Sequence, residues 1–329
     1  MSRSQAVSRS QTADVVVAGQ IARDLVLVVD EVPPEGGTAP VRERREMLGG
    51  KGANQAVALA QLGMRPALLG VVGCDDTGRR VLDQAHADGI DTSAVQRRDD
   101  TRTGLIVDVV DRAGRWRYLE DLPPSVQLTE TDVAAGASLF TGARWASVQL
   151  QQPPEAALAV ARHAREAGCK VALDGAPEDA KHSGDLLVLA DVVRADGREA
   201  AMLAGTPVSS GGEARRAAAD ILRRGPSLVA LAVDGTGNLL AWPDGDVLLP
   251  LTRTHVADTT GAGDAFMAGL IAALDRGDGP VQAGRFAVAA AGATVGHPGG
   301  RPGLTRRALD EQLALLDAAE RETTAGGAR

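Results

Sequence analysis

Cysteine, lysine, aromatic residues and long apolar stretches are all scarce in this sequence of 329 residues. The two cysteines, Cys74 and Cys169, lie far apart in unrelated patterns. This excludes a disulfide framework and a CxxC metal site, and it favours the reducing cytoplasm as the location. No stretch approaches the ~18 continuous apolar residues of a membrane span, so we expect no membrane partner.

The charge balance excludes a further class of partners. The chain carries 35 Lys and Arg residues against 43 Asp and Glu residues, a net charge of −8. Binding through the phosphates of a nucleic acid requires a basic surface, so we expect no nucleic-acid partner. Arginine supplies nearly all of the positive charge, because the only lysines are Lys51, Lys170 and Lys181.

The two ends of the chain differ in composition from the rest. Residues 1–13 are mostly polar, rich in Ser, Arg and Gln, and lack the apolar core of a signal peptide. They predict a disordered leader, and residues 323–329 predict a flexible tail. The domain is therefore expected to span residues 14–322.

Between these ends, short apolar runs alternate with amphipathic segments. The predicted strands are 15–19, 66–73, 145–150, 170–174, 191–193 and 228–234, and the predicted helices are 52–62, 77–87, 155–167, 198–204, 262–275, 280–296 and 305–321. Such alternation gives a mostly parallel sheet that is covered by helices on both faces. The sequence therefore predicts the α/β class.

Two segments interrupt the alternation. Residues 24–47 and 103–120 have the apolar character of strands, and they contain turns rich in Pro and Gly or an Ala-Gly turn, but no crossover helix follows either of them. We interpret them as one small β-sheet that projects from the domain as a lid. The alternative is that they are edge strands of the central sheet.

The strongest local motif is DTTGAGDAF at residues 258–266, followed by a helical pattern. Its small residues Gly261, Ala262 and Gly263 open a helix, whose unpaired N–H groups and dipole form an anion site. Asp264 in such a site suggests a base that accepts a proton from a hydroxyl beside a transferred phosphate. The alternative is an ordinary acidic residue in the first turn of a helix.

A second motif, GGKGANQAVALAQLG, covers residues 49–63. It is not a P-loop, because no Ser or Thr follows the Gly-Lys pair and the glycine spacing differs. We expect the loop to bind a polar small molecule through Lys51, Asn54 and backbone groups, with Gly50 allowing an unusual turn. A plain helix start is the alternative.

Together the two motifs resemble those of the ribokinase family of PfkB-type carbohydrate kinases, and the similarity extends from Val15 to Gln312. The resemblance implies a three-layer α/β/α fold with a β-sheet lid that forms a homodimer. It also implies phosphoryl transfer from ATP to a hydroxyl, expected to be the primary alcohol of a sugar-like molecule, with Mg²⁺ and K⁺ as cofactors.

The resemblance carries over onto individual residues of the acceptor and transfer sites. It implies that Asp264 is the base and that the backbone of 261–264 is the anion hole. The implied sugar-binding residues are Asp24, Gly50, Lys51, Gly52, Asn54 and Gln151.

For the nucleotide and the cations, the resemblance implies two further sets. The ATP-binding set is Asp196, Glu199, Ala232, Asp234, Gly235, Gly237 and Val288, with Glu199 holding Mg²⁺ through water. The monovalent-cation set is Asp258, Thr260, Thr294, His297, Gly299 and Gly303.

Departures from the family pattern affect the identity of the acceptor. Ala22 replaces an asparagine that contacts the sugar, and Gln151 replaces a glutamate, so ribose itself is in question. A nucleoside kinase is therefore one alternative, and a non-catalytic sensor on the same fold is another. Arg194 replaces a threonine, for which we expect a local structural effect only. For Trp116 and Tyr118 we favour packing in the lid or a dimer contact over a place in the pocket wall.

Overall fold

A computed structural model describes residues 12–177, 179–252, 254–296 and 299–326. Parts of the predicted leader and tail, and His297, lie outside these ranges. The strands are β1 (Val15–Ala18), β2 (Ala22–Val29), β3 (Val41–Gly49), β4 (Pro66–Leu69), β5 (Val71–Gly73), β6 (Gln96–Arg98), β7 (Gly104–Val110), β8 (Trp116–Asp121), β9 (Trp145–Gln149), β10 (Lys170–Asp174), β11 (Val192–Ala195), β12 (Leu228–Val233), β13 (Gly237–Trp242) and β14 (Gly245–Pro250). The helices are α1 (Lys51–Gln61), α2 (Asp76–Ala87), α3 (Glu130–Ala135), α4 (Pro154–Glu166), α5 (Ala180–Leu189), α6 (Gly197–Ala204), α7 (Gly211–Leu222), α8 (Ala262–Asp275), α9 (Pro280–Thr294) and α10 (Arg306–Gly326).

Eight strands form the central sheet, in the order β14-β13-β12-β11-β10-β9-β1-β4. Six of these strands run parallel to one another, namely β12, β11, β10, β9, β1 and β4. Strands β13 and β14 add an antiparallel hairpin at the β12 edge. The predicted mostly parallel sheet is therefore confirmed.

Two buried clusters lie on opposite faces of this sheet. In β1, Val15 and Val17 belong to one cluster, and Val16 and Ala18 belong to the other. Alternate residues of a strand point to opposite faces, so β1 is buried on both sides. Helices α1, α8, α9 and α10 cover the first face, and α4 to α7 cover the second. This is the predicted three-layer α/β/α arrangement.

The lid is a separate four-stranded sheet in the order β3-β2-β7-β8. Strand β2 pairs antiparallel with β3 and parallel with β7, and so joins the two segments that the sequence assigned to one small sheet. The prediction of one small β-sheet is confirmed, and the alternative of edge strands in the central sheet is wrong.

Some element boundaries differ from the predictions. The single strand predicted at 66–73 is two strands, β4 in the central sheet and β5 in a small sheet with β6. They separate at Gly70, where a Cβ would lie 2.9 Å from the carbonyl oxygen of Gly19, so the backbone leaves no room for a side chain at this break. Helices α3, α5 and α7 and the hairpin of β13 and β14 were not predicted. Helix α10 continues to Gly326, beyond the predicted end. None of the helices within the described ranges has the length and hydropathy of a membrane-spanning segment.

Candidate active site

A cavity of about 320 Å³ lies between the lid and the carboxyl ends of the central parallel strands. Ligands of open α/β sheets bind at this edge. The lining residues are Gln20, Asp24, Gly50, Lys51, Asn54, Ile106, Trp116, Tyr118, Glu120, Gln151, Asp174, Arg194, Asp196, Thr259, Thr260, Gly261, Gly263 and Asp264. The cavity therefore brings together residues from both motifs, from the lid and from the ends of β10 and β11.

The anion hole predicted at residues 261–264 is the start of α8. Gly261 is its N-cap with a φ of 72°, and no side chain of the described residues caps this end. A Cβ on Gly261 would lie 2.0 Å from the carbonyl oxygen of Gly300, so the turn requires glycine for its conformation and for its close packing. The uncapped N–H groups of the first turn are available to an anion in the cavity.

Asp264 lies in this first turn and is only 6% exposed. Its Oδ2 accepts a hydrogen bond of 3.3 Å from Nδ2 of Asn54, and its Oδ1 accepts one of 3.3 Å from Nε2 of Gln55. Burial and the negative charge of Asp174 raise the pKa of Asp264 to about 7, against the opposing effect of Lys51. A carboxylate with such a pKa is suited to accept a proton near neutral pH.

The start of α1 forms the opposite wall. Gly50 has a φ of 87° and precedes the helix, and a Cβ there would lie 2.8 Å from the carbonyl oxygen of Gln20. Lys51 and Asn54 line the cavity, as the sequence predicts. Oδ1 of Asn54 is buried and has no hydrogen-bond partner among the described residues. A buried acceptor without a partner is uncommon in folded proteins.

Asp24 projects from the lid strand β2 into the same space and is 5% exposed. Burial, together with the negative charges of Asp264 and Asp258, raises the pKa of Asp24 to about 7. Its Oδ1 is buried, and within the described chain it accepts no hydrogen bond. Asp24 and Asn54 therefore each have one buried acceptor atom without a hydrogen-bond partner in the described chain, and both residues belong to the cavity lining.

A buried ion pair that the sequence did not predict lies deeper in the cavity wall. Asp174 ends β10 and is 4% exposed, and it faces Arg194 on β11 in the strand register. Nη1 of Arg194 lies 3.1 Å from Oδ1 of Asp174 and 3.9 Å from Oε2 of Glu199. Asp174 also accepts a 2.7 Å hydrogen bond from Gln55. The available sequence signal was the acidic residue at the carboxyl end of a predicted buried strand.

The charges of this group affect one another. Burial lowers the pKa of Arg194, but the carboxylates of Asp174 and Glu199 outweigh burial and raise the pKa above its usual value. Burial and the charge of Asp174 raise the pKa of Glu199, with Arg194 opposing them. Contrary to the local structural effect expected for Arg194, its side chain is part of the cavity wall.

Of the predicted nucleotide-binding residues, only Asp196 lines the cavity. Asp196 and Glu199 form a capping box at the start of α6, in which each backbone N–H donates to the other side chain at 2.8 Å. Asp234 and Gly235 lie exposed in the turn after β12, whereas Val288 is 3% exposed and packs in the core. Ala232 and Gly237 flank that turn at the ends of β12 and β13.

Of the predicted cation residues, Asp258 and Thr260 lie in the loop before α8, and Gly299 contacts it. Oδ1 of Asp258 accepts hydrogen bonds from the backbone N–H and the hydroxyl of Thr260, and Oδ2 accepts one from the N–H of Gly299. The Thr294 hydroxyl donates within its own helix, to the carbonyl of Ala290. The Gly303 carbonyl accepts from the N–H of Thr305. No group of three or more His, Cys, Asp or Glu side chains in the described ranges has metal-binding geometry.

Two lid aromatics close the outer side of the cavity. The rings of Trp116 and Tyr118 stack with centroids 4.5 Å apart and an interplanar angle of 29°. Both line the cavity, and the Tyr118 hydroxyl shares a hydrogen bond with the Thr260 hydroxyl. The two rings pack against each other within the lid, as expected. They also lie in the pocket wall, a position that we had not favoured.

Some predicted residues thus meet in the cavity and others support it. Asp24, Gly50, Lys51, Asn54, Gln151, Asp196, Thr260, Gly261, Gly263 and Asp264 line it together. Gly52 instead packs against the backbone of Gly19, since a Cβ there would lie 2.7 Å from the Gly19 carbonyl carbon. Ala262 contributes the first turn of α8 from outside the lining set.

The model of the pfkB family of carbohydrate kinases matches residues 12–307. The ATP-dependent ribose-1-phosphate kinase of Halopiger xanaduensis is 33% identical over 304 residues, which cover 90% of this chain and 96% of that protein. A bifunctional ribokinase/ribose-5-phosphate isomerase A of Fructilactobacillus sanfranciscensis is 30% identical over 262 residues, 79% of this chain, and the matched part is 48% of that longer protein. The crystal structure of the ribokinase of Thermotoga maritima superposes with a TM-score of 0.76 at 25% identity, covering 92% of this chain and 99% of that one.

Proposed function

Because the chain belongs to the pfkB family of carbohydrate kinases and is an ATP-dependent sugar kinase, we propose that it phosphorylates the primary hydroxyl of a pentose or of a metabolite that contains one. The carboxylate of Asp264 takes the proton of that hydroxyl, while the hydroxyl oxygen forms a bond to the γ-phosphorus of ATP. The bond from the γ-phosphorus to the bridging oxygen of ADP breaks, and ADP leaves. The observation that supports this proposal most is Asp264 at an uncapped helix start, with its pKa raised towards neutrality.

The start of α8 supports the transfer half of the reaction. Negative charge spreads over the phosphoryl oxygens during transfer, and fixed donors aimed at them stabilise it. The N–H groups after Gly261 are such donors, and they belong to the same helical turn as the base. Base and anion hole are therefore held together by one short piece of backbone.

The opposite wall supports binding of a polyol. The free acceptor atoms of Asp24 and Asn54 suit the hydroxyls of a sugar, and Lys51 adds donors. Gln151 lies in the wall where the family pattern has a glutamate, and Ala22 brings no polar atom. The named relatives act on ribose or on ribose 1-phosphate, which share a pentose, and this supports a pentose-containing acceptor rather than ribose specifically.

Carboxylate oxygens suit Mg²⁺, and the start of α6 offers them in Asp196 and Glu199. We assign these residues to the Mg²⁺ that accompanies ATP, which would offset the charge of the phosphates. The role of Glu199 through a water belongs to the same assignment. The segment from Ala232 to Gly237, with Val288 behind it, is assigned to the rest of the nucleotide.

A monovalent cation, expected to be K⁺, is proposed beside Asp258. This carboxylate is 1% exposed, and it accepts hydrogen bonds from neutral groups of Thr260 and Gly299. A buried carboxylate without a cationic partner in the described chain is costly, and a bound K⁺ would reduce that cost. The backbone near Thr294 and Gly303 lies in the segment that would complete the site.

We also propose that the lid forms a homodimer through its outer face. Along β8, Trp116, Tyr118 and Glu120 line the cavity, so the intervening residues point outward. Leu119 is among these and is 67% exposed. Sedimentation of the wild type and of Leu119→Glu tests this, since loss of a dimer in the variant supports the interface and a wild-type monomer contradicts it.

The test of the kinase proposal is an acceptor screen. The full chain is incubated with ATP, Mg²⁺ and K⁺ and with ribose, deoxyribose, ribose 1-phosphate, nucleosides or polyols, and ADP release is measured. Phosphorus NMR then identifies the phosphorylated carbon. We expect turnover on at least one pentose or pentose derivative with a product ester at the primary alcohol. Phosphorylation of only non-pentose polyols would contradict the proposal.

A nucleoside kinase is a second candidate, which the stacked pair of Trp116 and Tyr118 favours. Aromatic faces in the outer cavity wall suit a planar base attached to the pentose. If the acceptor is a nucleoside, Trp116→Ala should raise KM for nucleosides far more than KM for free pentoses. An equal effect on both would leave the free sugar as the acceptor.

A further inference from the structure

Arg194 is a cationic side chain that the fold places in the cavity wall, beside the start of α8. It lies on β11, and only 17% of its side chain is exposed. Its strand neighbour is Asp174, and the two residues occupy paired positions at the carboxyl edge of the sheet. The paired backbones of two central strands therefore fix the position of the Arg194 Cα atom.

The guanidinium lies directly against the start of α8. A Cβ built on Gly263 would be 2.7 Å from both Nη1 and Nη2 of Arg194 and 2.8 Å from its Cζ. Gly263 is the second residue of the helix and immediately precedes Asp264. The charged group is thus within contact distance of the turn whose N–H groups form the proposed anion hole.

Most donors of this guanidinium remain available. An arginine has five N–H donors, and within the described ranges Arg194 donates one hydrogen bond, from Nη1 to Asp174. The side chain lines the cavity, so the other donors are accessible to a ligand there. A guanidinium with free, fixed donors is well suited to binding phosphate oxygens.

We propose that Arg194 contacts the γ-phosphoryl group of ATP and stabilises its charge during transfer. The proposal rests on the proposed kinase function and adds a side-chain donor to the N–H groups of α8. Asp174 and Glu199 hold the guanidinium at this position through ion pairs on its inner side. Gly263 provides the space in which the guanidinium packs against the helix start.

The competing explanation is that Arg194 only neutralises Asp174 and Glu199. The two explanations differ for the double variant Asp174→Asn/Arg194→Met, which removes the arginine together with its main partner. If Arg194 is only a counter-charge, the double variant should recover most of what Arg194→Met loses, because Asp174 is the nearer partner at 3.1 Å against 3.9 Å for Glu199. If Arg194 binds the γ-phosphoryl group, the double variant stays defective.

The test is titration calorimetry on the full chain with Mg²⁺, using ADP and a non-hydrolysable ATP analogue with an imido bridge between the β- and γ-phosphorus atoms. We expect Arg194→Met to weaken binding of the analogue about 10- to 100-fold and that of ADP by less than about threefold, with the double variant showing the same pattern. Arg194→Lys should recover part of the difference.

Arg98→Met is the matched control, since Arg98 is 24% exposed, pairs with Asp132 at 2.6 Å and lies outside the cavity lining.

Equal weakening of the analogue and ADP, or recovery in the double variant, would overturn the proposal. Thermal melting verifies that each variant is folded, and the charge-neutral double variant provides the answer if Arg194→Met alone does not fold. The binding difference needs no acceptor and no turnover. A failed acceptor screen would therefore count against the proposed function without deciding the role of Arg194.

Discussion

Asn54 donates a hydrogen bond of 3.3 Å to the carboxylate of Asp264, although the two residues are 210 positions apart in the sequence. This contact joins the start of α1 to the start of α8. The amide uses its NH₂ group on Asp264, and its buried carbonyl oxygen has no hydrogen-bond partner in the described chain. An acceptor hydroxyl bound by that oxygen would lie beside the carboxylate that is to deprotonate it.

Replacement of the base should affect turnover far more than binding. We expect Asp264→Asn to lower kcat by about 10²- to 10⁴-fold, because the amide cannot accept the proton. Binding of the acceptor should change little, since the substituted amide has nearly the same shape as the carboxylate. Rates of ADP release and calorimetric titration of the acceptor measure the two effects. Asp278→Asn, at an exposed residue that pairs with Arg276, is the control. Undiminished ADP production by Asp264→Asn would exclude the base role.

The pH dependence of kcat/KM should show the unusual pKa of the base. Since burial and Asp174 raise the pKa of Asp264 to about 7, activity should decline about tenfold per pH unit below that value. Asp174→Asn removes a negative charge that raises this pKa, so the acid limb should move to lower pH. Asp278→Asn, at a residue that pairs with Arg276 outside the cavity lining, should leave the limb in place. A limb that stays in place in Asp174→Asn would contradict the assignment to Asp264.

A methyl group on Gly261 should distort the anion hole. The residue has a φ of 72°, and a Cβ would lie 2.0 Å from the Gly300 carbonyl oxygen. Gly277 is the matched control, because its φ is 90° but no atom of the described chain lies within 4 Å of a Cβ there. Both Ala variants carry the backbone strain of a positive φ, about 1 kcal/mol or more. Only Gly261→Ala should also lower kcat, by about tenfold or more. Equal kcat values in the two variants would show that the Gly300 contact is unimportant.

The sequence predicted the fold well because its signals are local. Buried strands such as β1, β9 and β10 appear as short apolar runs, and the helices between them follow the 3.6-residue period. The hairpin of β13 and β14 was not predicted, because its apolar residues follow a buried strand with no crossover helix between them, outside the strand–helix alternation. The break at Gly70 was also not predicted, since it depends on close contact with the Gly19 carbonyl oxygen, which is distant in sequence.

The site residues that belong to a continuous sequence motif could be predicted. Those that reach the cavity only through the packing of distant strands could not. The residues around Lys51 and Asp264 lie in continuous segments with glycines at helix starts, and these segments meet in the cavity. Asp174 and Arg194 belong to strands that look ordinary in sequence. Their pairing follows from the order of β10 and β11 in the sheet, which no local pattern specifies.

Potassium should activate and stabilise the protein if it binds beside Asp258. We expect a higher rate and a higher melting temperature in KCl than in NaCl at equal ionic strength. Asp258→Asn should abolish both differences, because the amide carries no charge to attract the cation. The melting measurement needs neither ATP nor acceptor. Equal melting temperatures of the wild type in the two salts would contradict the cation site.

The pH dependence of stability should reveal the buried carboxyl of Asp24. Its pKa is about 7 in the folded protein against an ordinary value of 3.8, so the folded state binds more protons than the unfolded state between these values. The stabilising contribution of protonated Asp24 is complete below pH 4 and is lost as the pH rises through 7. The free energy of unfolding of the wild type should therefore fall between pH 5 and pH 8.

Asp24→Asn removes this titration, so its unfolding free energy should fall less over the same interval, by on the order of 1 kcal/mol or more. Urea unfolding of the ligand-free protein at pH 5 and pH 8 measures the difference. Asp14→Asn is the control, because the pKa of Asp14 is shifted in the opposite direction to that of Asp24. Arg65 holds the pKa of Asp14 down at about 2, so its contribution is lost only on acidification below about pH 4. Asp14→Asn should accordingly lower stability equally at pH 5 and pH 8. If Asp24→Asn also shifted stability equally at the two pH values, the carboxyl of Asp24 would have to be ionised throughout that range.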